Sequence, residues 1–322
     1  MKANRQRKPS QGRTRTSLPI LCKPTPIPPP AGLFITDLDG TLLRSDRTFA
    51  AADLVGLRRL GELGVTRVVA TGRSMFSFER VQLAGLPIDY VIFSSGAGIA
   101  EHPGGRILRS ASLETDEIRH AAGILRSLRL DFMVQRSIPD SHIFGYVTGS
   151  DANPDFEARI SLYRRFAFPL HDDIDRFGPA TQLVAIVPPE QAPAALAAVR
   201  QLLKGLTIIR TTSPLDGRST WIELFPAGIS KSLTTEWLAN GLGVPRAHTL
   251  SVGNDFNDLD LLEWAQTRFV MANAPAELRE RFPTVASNDS CGVAEAIARW
   301  IELAKPARSS ALPAPGGERP AG

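Results

Sequence analysis

Leu33-Phe34-Ile35-Thr36-Asp37-Leu38-Asp39-Gly40-Thr41-Leu42 decides the fold. The apolar run at its start predicts a buried strand. Two carboxylates two residues apart then leave the strand end, and Gly40-Thr41 predicts a tight turn. On a strand, residues i and i+2 point the same way, so Asp37 and Asp39 are candidates to converge on one small volume. Like charges that close need a cation, a shared proton or separate roles. Such a pair suits a metal-assisted nucleophile with an acid/base beside it. The same hexapeptide also suits an Asp-Gly turn with solvated acids, so the rest of the chain has to decide.

Outward from there, Leu54, Leu57, Leu60 and Leu63 have helical spacing over 51–63, and Gly64 is a stop signal. Residues 67–70 predict a second buried strand that ends in Thr71-Gly72-Arg73, followed by a helix with Ser74 as N-cap. Residues 90–93 predict a third strand, ending in Ser94-Ser95-Gly96. This alternation with short connections predicts right-handed parallel crossovers. Polar residues and glycines at the strand ends mark the carboxyl edge, where open α/β sheets bind ligands.

Residues 103–224 read differently. A helix over 114–128 precedes strands at 131–136 and 142–147. A charged and aromatic stretch to about 178 gives no clear element. Then come a strand at 183–187, a helix at 190–204, and strands at 207–211 and 219–224. This mixture predicts a separate α+β unit inserted into the first. The parallel pattern resumes with a helix at 230–241 carrying Lys231 in its first turn. A strand at 248–252 runs into Gly253-Asn254-Asp255-Phe256-Asn257-Asp258, and a strand at 269–271 and a helix at 292–303 follow. The expected organisation is α/β: a discontinuous parallel-sheet core over 31–102 and 225–303, and an inserted cap over 103–224. The ends, 1–30 and 304–322, read as disordered tails.

The 322 residues are 43% apolar and 22% charged, an ordinary globular composition. No apolar run approaches the roughly 20 residues of a membrane span. The net charge of +4 misleads: residues 1–30 carry +7 and residues 305–322 carry +2, which leaves −5 on the body. The basic balance therefore belongs to the ends and gives no reason to expect nucleic acid as a partner. The arm resembles a plain solvated extension more than an organellar leader. With only Cys22 and Cys291, a disulfide framework is not expected, and a reducing, cytoplasmic setting is.

Four polar clusters fall at four element ends: Asp37/Asp39, Thr71/Arg73, Lys231, and Asn254/Asp255/Asp258. Each alone reads as a turn, a cap or a solvated side chain. Together, in this order and around an inserted unit, they make a coherent phosphoryl-transfer site. Carboxylates hold a hard cation, most plausibly Mg²⁺. The Thr71 hydroxyl and the Lys231 ammonium bind a phosphoryl group, and Asp37 attacks phosphorus. Asp39 protonates the leaving oxygen and then deprotonates a water. Thr41, Gly72, Arg73, Ser95, Gly96 and Asn257 lie in the same segments and are candidate phosphate contacts. Arg136, His142 and Tyr146, on the expected cap strands, are candidates for reading the leaving group.

At these motifs the chain resembles the haloacid dehalogenase-like hydrolases, in the Cof-type branch of sugar-phosphate phosphatases. Asp37 to Leu42 matches the first motif, D-x-D-G-T-L. Thr71-Gly72-Arg73 matches the second, Lys231 at a helix start the third, and Gly253 to Asp258 the acidic fourth. The resemblance covers about 31–303. It implies a Rossmann-like core, a large α/β cap, Mg²⁺, Asp37 as nucleophile and Asp39 as acid/base, with the Asp39 carbonyl as a metal ligand. Two departures stand out. Asn254 occupies the place of the fourth motif's first Asp, so Asp255 is the expected metal ligand, with Asn254 or Asp258 as alternatives. Ser95 stands where the family commonly has Asn. The expected activity is Mg²⁺-dependent hydrolysis of a small phosphorylated metabolite through an aspartyl-phosphate. Alternatives are a disaccharide-phosphate or glycosyl-phosphoglycerate phosphatase, a phosphomutase, or a non-catalytic binding protein with a weakened metal site. No membrane or obligate protein partner is expected.

Overall fold

A computed structural model describes residues 31–81, 85–150, 152–170, 174 and 177–304. The expected arm and nearly all of the expected tail lie outside the described residues, as does Cys22.

The chain opens with β1 (Gly32–Thr36), α1 (Ala51–Glu62), β2 (Val65–Ala70), the short α2 (Met75–Phe78) and β3 (Tyr90–Phe93). β1 pairs with β2, and β2 with β3, all parallel. Ser74 caps α2 by accepting from Ser77 N at 3.3 Å, as its sequence position predicts. Two antiparallel strands, β4 (Gly98–Glu101) and β5 (Ile107–Ser110), then extend the same sheet.

A second sheet comes next in the chain. Its elements are α3 (Thr115–Ser127), β6 (Asp131–Arg136), β7 (Phe144–Val147), α4 (Pro154–Leu162), β8 (Ala167–Pro169), β9 (Ala180–Val187), α5 (Ala192–Leu202), β10 (Thr207–Thr212) and β11 (Thr220–Phe225). Its strand order is β10-β11-β9-β6-β7-β8. The chain then returns through α6 (Lys231–Leu242), β12 (Thr249–Gly253), α7 (Leu259–Trp264), β13 (Thr267–Met271), α8 (Ala276–Arg281), β14 (Thr284–Val285) and α9 (Gly292–Leu303). That completes an eight-stranded sheet, β14-β13-β12-β1-β2-β3-β4-β5. The fold is α/β, with a Rossmann-like parallel core and a second α+β layer set. The insertion drawn at 103–224 is wider than the second sheet by one strand. β5 pairs with β4 in the first sheet, and the second sheet runs from β6 to Phe225. The sequence gives no mark there because β5 is short and largely exposed.

β1 is buried on both faces, as a central parallel strand must be. Phe34 packs under α1 and α9 with Leu57, Leu60 and Ile297. Leu33 and Ile35 face the other way, onto Leu238 of α6 and Leu261 of α7. The second sheet repeats this division. Phe132, Val134, Leu183 and Ile222 lie under α3 and α5. Met133, Val184, Ile186 and Trp221 face α4. By the period of two, Gln135, Gln182, Thr211 and Glu223 share that second face. Beyond the reach of α4 it turns polar and faces the carboxyl edge of the first sheet.

The residues from 148 to about 178, where the sequence gives no clear element, contain α4 and β8. α4 did carry a signal. Asn153 caps it by accepting from Phe156 N at 3.2 Å, Pro154 occupies the first turn, and Asp155 and Glu157 follow.

Candidate active site

Asp37 leaves β1 at the carboxyl edge, its N–H still donating to the Val252 carbonyl of β12 at 2.9 Å. The chain then turns at Gly40, whose φ is +73°. A Cβ on Gly40 would stand 2.5 Å from the Asn254 amide nitrogen, so glycine is required for both the turn and the approach of Asn254. This turn brings the first and fourth motifs into contact.

Asp37 faces two groups. Its Oδ1 accepts from Lys231 Nζ at 2.7 Å, and the same ammonium donates to Asp258 Oδ1 at 2.6 Å. Lys231 is wholly buried at the start of α6, where Ser230 supplies the cap by accepting from Leu233 N. A cation is disfavoured at a helix N-terminus, and two carboxylates offset that here. Burial alone would lower the ammonium's pKa, but Asp258 and Asp37 outweigh it and hold the group charged. Burial pushes the Asp37 carboxyl up to about 8, with Asp258 adding to the rise and Lys231 opposing it.

The second face of Asp37 meets Asn254. Asn254 Oδ1 lies 3.2 Å from Asp37 Oδ2 and 3.0 Å from the Asp39 carbonyl oxygen. It also accepts the Thr41 hydroxyl at 3.0 Å. Turned over, the amide would instead donate to all three oxygens. With its amide oxygen turned toward them, Asn254 adds a third oxygen to Asp37 Oδ2 and the Asp39 carbonyl, the orientation that a bound cation would select and that the amide alone would not, since its nitrogen satisfies both neighbours. Adjacent ligands of an octahedral Mg²⁺ lie about 3 Å apart, so this donor set fits that ion. Among the described residues no three His, Cys, Asp or Glu side chains gather as a metal-binding group. Only one of the three donors here is a carboxylate.

The structure gives the other two fourth-motif acids different partners. Asp255 turns away from the metal candidates: Thr212 of β10 donates to it through N at 2.8 Å and Oγ1 at 2.9 Å. Both its oxygens thus bind the second sheet, and the expectation that Asp255 replaces the missing ligand does not fit this geometry. Asp258 has Lys231 on one oxygen, and the N–H groups of Asn254 and Asp255 on the other at 2.8 and 3.1 Å. It orders the loop and the lysine, leaving no free edge for a metal.

Asp39 faces Arg73, whose Nε and Nη2 donate to its two oxygens at 2.7 and 2.6 Å in a fork. Thr71 is buried at the end of β2, its hydroxyl accepting from Arg73 N at 3.1 Å. Gly96 has no room for a Cβ, which would stand 2.3 Å from the Ser230 carbonyl. It therefore sets the spacing between the third strand and α6. Asp37, Asp39, Thr71, Gly72, Arg73 and Asn257 line one wall of a cleft of about 1290 Å³, with Asn254 and Asp255 beside them. Lys231 and Asp258 lie behind Asp37, and Thr41 behind Asn254.

The opposite wall comes from the second sheet. Its residues were missed at the sequence level: Gln135, Arg159, Gln182, Thr211, Trp221 and Glu223. One signal was present: Gln135, Gln182 and Glu223 are polar residues on the same strand faces as the apolar Met133, Val184 and Trp221. Arg136, His142 and Tyr146 are not among the cleft's lining residues. His142 stacks on Phe76 with ring centroids 3.8 Å apart, and Tyr146 packs edge-on to Phe156.

Glu223 joins the two walls. Its Oε2 accepts from Ser95 Oγ at 2.8 Å, and Ser95 itself holds a φ of +51°. Burial pushes the Glu223 carboxyl from 4.5 up to about 7, against the Ser95 bond and the charges of Lys231 and Arg159. The folded protein therefore keeps this proton to higher pH than the unfolded chain does. Stability falls as pH rises through that interval, and the full cost, roughly 3 kcal/mol, applies above it. Glu223→Gln keeps an acceptor for Ser95 and removes the charge. We expect it to match wild type in urea unfolding at pH 5 and to exceed it by about 2–3 kcal/mol at pH 8. A difference that does not grow with pH would show that burial is not what sets this group.

Residues 34–297 match the family model for haloacid dehalogenase-like hydrolases. The chain belongs to that family, in its Cof type. Among haloacid dehalogenase-like relatives, YxeH of Bacillus subtilis is 28% identical over 286 residues, covering 85% of this chain and 99% of its own length. The HMP-PP phosphatase of Cronobacter sakazakii is 26% identical, covering 83% and 94%. The 5-amino-6-(5-phospho-D-ribitylamino)uracil phosphatase YwtE of Bacillus subtilis is 24% identical, covering 80% and 94%. A haloalkanoate-superfamily phosphatase from Bacteroides thetaiotaomicron has the same fold, with a TM-score of 0.69 at 19% identity over 89% of this chain and 99% of its own. This haloacid dehalogenase-like chain is an enzyme, a phosphatase. Among the described residues no helix is long and apolar enough to cross a membrane.

Proposed function

We propose that this phosphatase hydrolyses the phosphate monoester of a small metabolite, a sugar phosphate by our narrower reading, through a phosphoryl group carried on Asp37. The observation that carries this is the environment of Asp37, with an ammonium on one oxygen and the Asn254 amide and Asp39 carbonyl beside the other. The names of the relatives support the substrate class, since they are phosphatases of small phosphorylated compounds.

Mg²⁺ fits Asp37, the Asp39 carbonyl and Asn254, and when bound it supplies charge neutralisation at the phosphoryl oxygens. The chain's own residues do the rest. Lys231 keeps Asp37 aimed and adds positive charge next to the attacked group. The Thr71 hydroxyl and Asn257 supply polar contacts around the phosphate, while the expected Ser95 contact does not form, because its hydroxyl is buried and donates to Glu223. An Asp37 oxygen forms a bond to phosphorus as the ester oxygen leaves, and Asp39 gives that oxygen its proton. Asp39 then takes a proton from a water that attacks phosphorus. The bond from phosphorus to Asp37 breaks, releasing phosphate and restoring the carboxylate. Both Asp39 oxygens are bonded to Arg73, so each transfer exchanges one Arg73 bond for the reacting oxygen. The second sheet covers the cleft and excludes bulk water.

A panel of phosphorylated metabolites assayed for phosphate release with and without Mg²⁺ tests this reading. Release from at least one, dependent on Mg²⁺, is expected; none across the panel would end it. The ligand assignment has its own readout in calorimetric Mg²⁺ titration. Asn254→Asp replaces an amide with a carboxylate in the donor set and should tighten Mg²⁺ by about tenfold or more. Asp255→Asn should leave Mg²⁺ affinity within about twofold, since Asp255 binds Thr212. Loss of Mg²⁺ binding in Asp255→Asn would return the ligand role to that residue.

A further inference from the structure

Arg159 of α4 is a cation in the cleft without a carboxylate partner. Among the described residues it forms no ion pair, and its Nε is enclosed with no hydrogen-bond partner. The guanidinium stacks 4.0 Å over the Tyr163 ring and stands 5.2 Å from that of Trp221. The two acids whose charges reach it are committed elsewhere. Asp155 accepts from Ser213 Oγ and Trp221 Nε1, both at 2.8 Å. Glu223 accepts from Ser95. Burial pulls the Arg159 pKa down, with Tyr163 and those acids opposing. Enclosing a donor without a partner is unfavourable, and a ligand acceptor in the cleft would supply the missing partner.

Among the described residues, two more polar atoms on this wall lack partners, Gln182 Oε1 and Thr211 Oγ1. Gln182 is only 4% exposed and lines the cleft. An amide oxygen can only accept, so it calls for a hydroxyl or N–H on the ligand. The cleft, at about 1290 Å³, also exceeds the roughly 300–1,000 Å³ of ordinary small-molecule sites. There is room beyond the phosphate for an extended leaving group.

We propose that Arg159, Gln182 and Thr211 form a subsite for a hydroxylated leaving group that carries a second oxyanion, the guanidinium taking the oxyanion and the amide oxygen a neighbouring hydroxyl. The planar fork of arginine matches carboxylate and phosphate alike, and the aromatic walls hold it in one orientation. This rests on the phosphatase reading for the position of the scissile phosphate at Asp37.

Three probes matched at one carbon test it: glucitol 6-phosphate, gluconate 6-phosphate and glucitol 1,6-bisphosphate. Binding is measured in the full chain carrying Asp37→Asn so that nothing turns over, at Mg²⁺ concentrations shown by titration to saturate that variant, because the change removes one carboxylate from the Mg²⁺ donor set. Gluconate 6-phosphate or the bisphosphate should bind at least tenfold tighter than glucitol 6-phosphate, and which of them does so tells carboxylate from phosphate. Adding Arg159→Met should bring the three within about twofold, and Arg159→Lys should keep part of the preference. In the turnover-competent protein the same change should appear in KM for the acidic ester more than in kcat. Equal binding of the three probes, binding of none, or a preference that Arg159→Met leaves unmoved while melting as wild type does would overturn the subsite. If Arg159→Met fails to fold, Arg159→Lys with its preference undiminished does the same. Preserved preference without phosphate release from the parent protein would overturn the hydrolysis and leave the subsite standing.

Discussion

Replacing Asp37 by Asn is expected to abolish phosphate release while leaving the fold intact. Loss of a covalent nucleophile costs on the order of 10⁴–10⁶ in kcat, and here one substitution removes two functions. The amide cannot carry the phosphoryl group, and it takes a carboxylate out of the cation donor set. The fold should not suffer, because the substitution keeps the shape of a residue that is 5% exposed. Burial already makes the Asp37 charge costly, pushing its carboxyl up to about 8. Lys231 keeps Asp258 as its partner. Thermal melting within a few degrees of wild type, together with phosphate release at background, is the expected pair of results. Substantial turnover by a correctly folded Asp37→Asn protein would remove the covalent mechanism, because no other carboxylate occupies that position.

That the site was legible at all follows from how local its first half is. The apolar run before Asp37, the turn at Gly40 and the Thr-Gly-Arg after β2 are decided within a few residues, and each sits at a strand end in the structure. The fourth motif was legible as a loop but not in detail. Asn254 and Asp255 are neighbours on one turn, and charge alone favours Asp255 as a ligand. What decides is a partner 43 residues away, Thr212, which takes both of its oxygens. The second wall was hidden for the same reason. Ser95 and Glu223 are 128 residues apart, and no local pattern links them. Arg136, His142 and Tyr146 are polar groups on or beside strands of the second sheet, but a strand residue reaches the cleft only from the face and end that overhang it. Gln135, Gln182 and Glu223 meet that condition as polar residues on the face they share with Met133, Val184 and Trp221.

Lys231→Met is expected to be the most destabilising single change at the site. The side chain is wholly buried between two carboxylates, Asp258 with no exposure and Asp37 nearly so. Removing one partner of a buried ion pair typically costs about 3–5 kcal/mol, because the remaining charge stays desolvated and unpaired. Here the ammonium is shared, so its loss strands the Asp258 charge, while Asp37, already pushed up to about 8 with Lys231 opposing the rise, is driven further up and takes a proton. Phosphate release should fall by about 10²–10³ as well, the scale for losing one preorganised donor at a developing charge. A packing defect would give the first result without electrostatics, and a double variant tells the two apart. Lys231→Met with Asp258→Asn removes the stranded charge. If charge is the cause, the pair should be more stable than Lys231→Met alone, with a coupling above about 1 kcal/mol. If the methionine simply packs badly, the second substitution should add its own cost, since Asp258 also holds the N–H groups of Asn254 and Asp255. Urea unfolding of wild type, both single variants and the pair measures the coupling, and costs that merely add would remove the buried triad as the element that ties α6 to the end of β1.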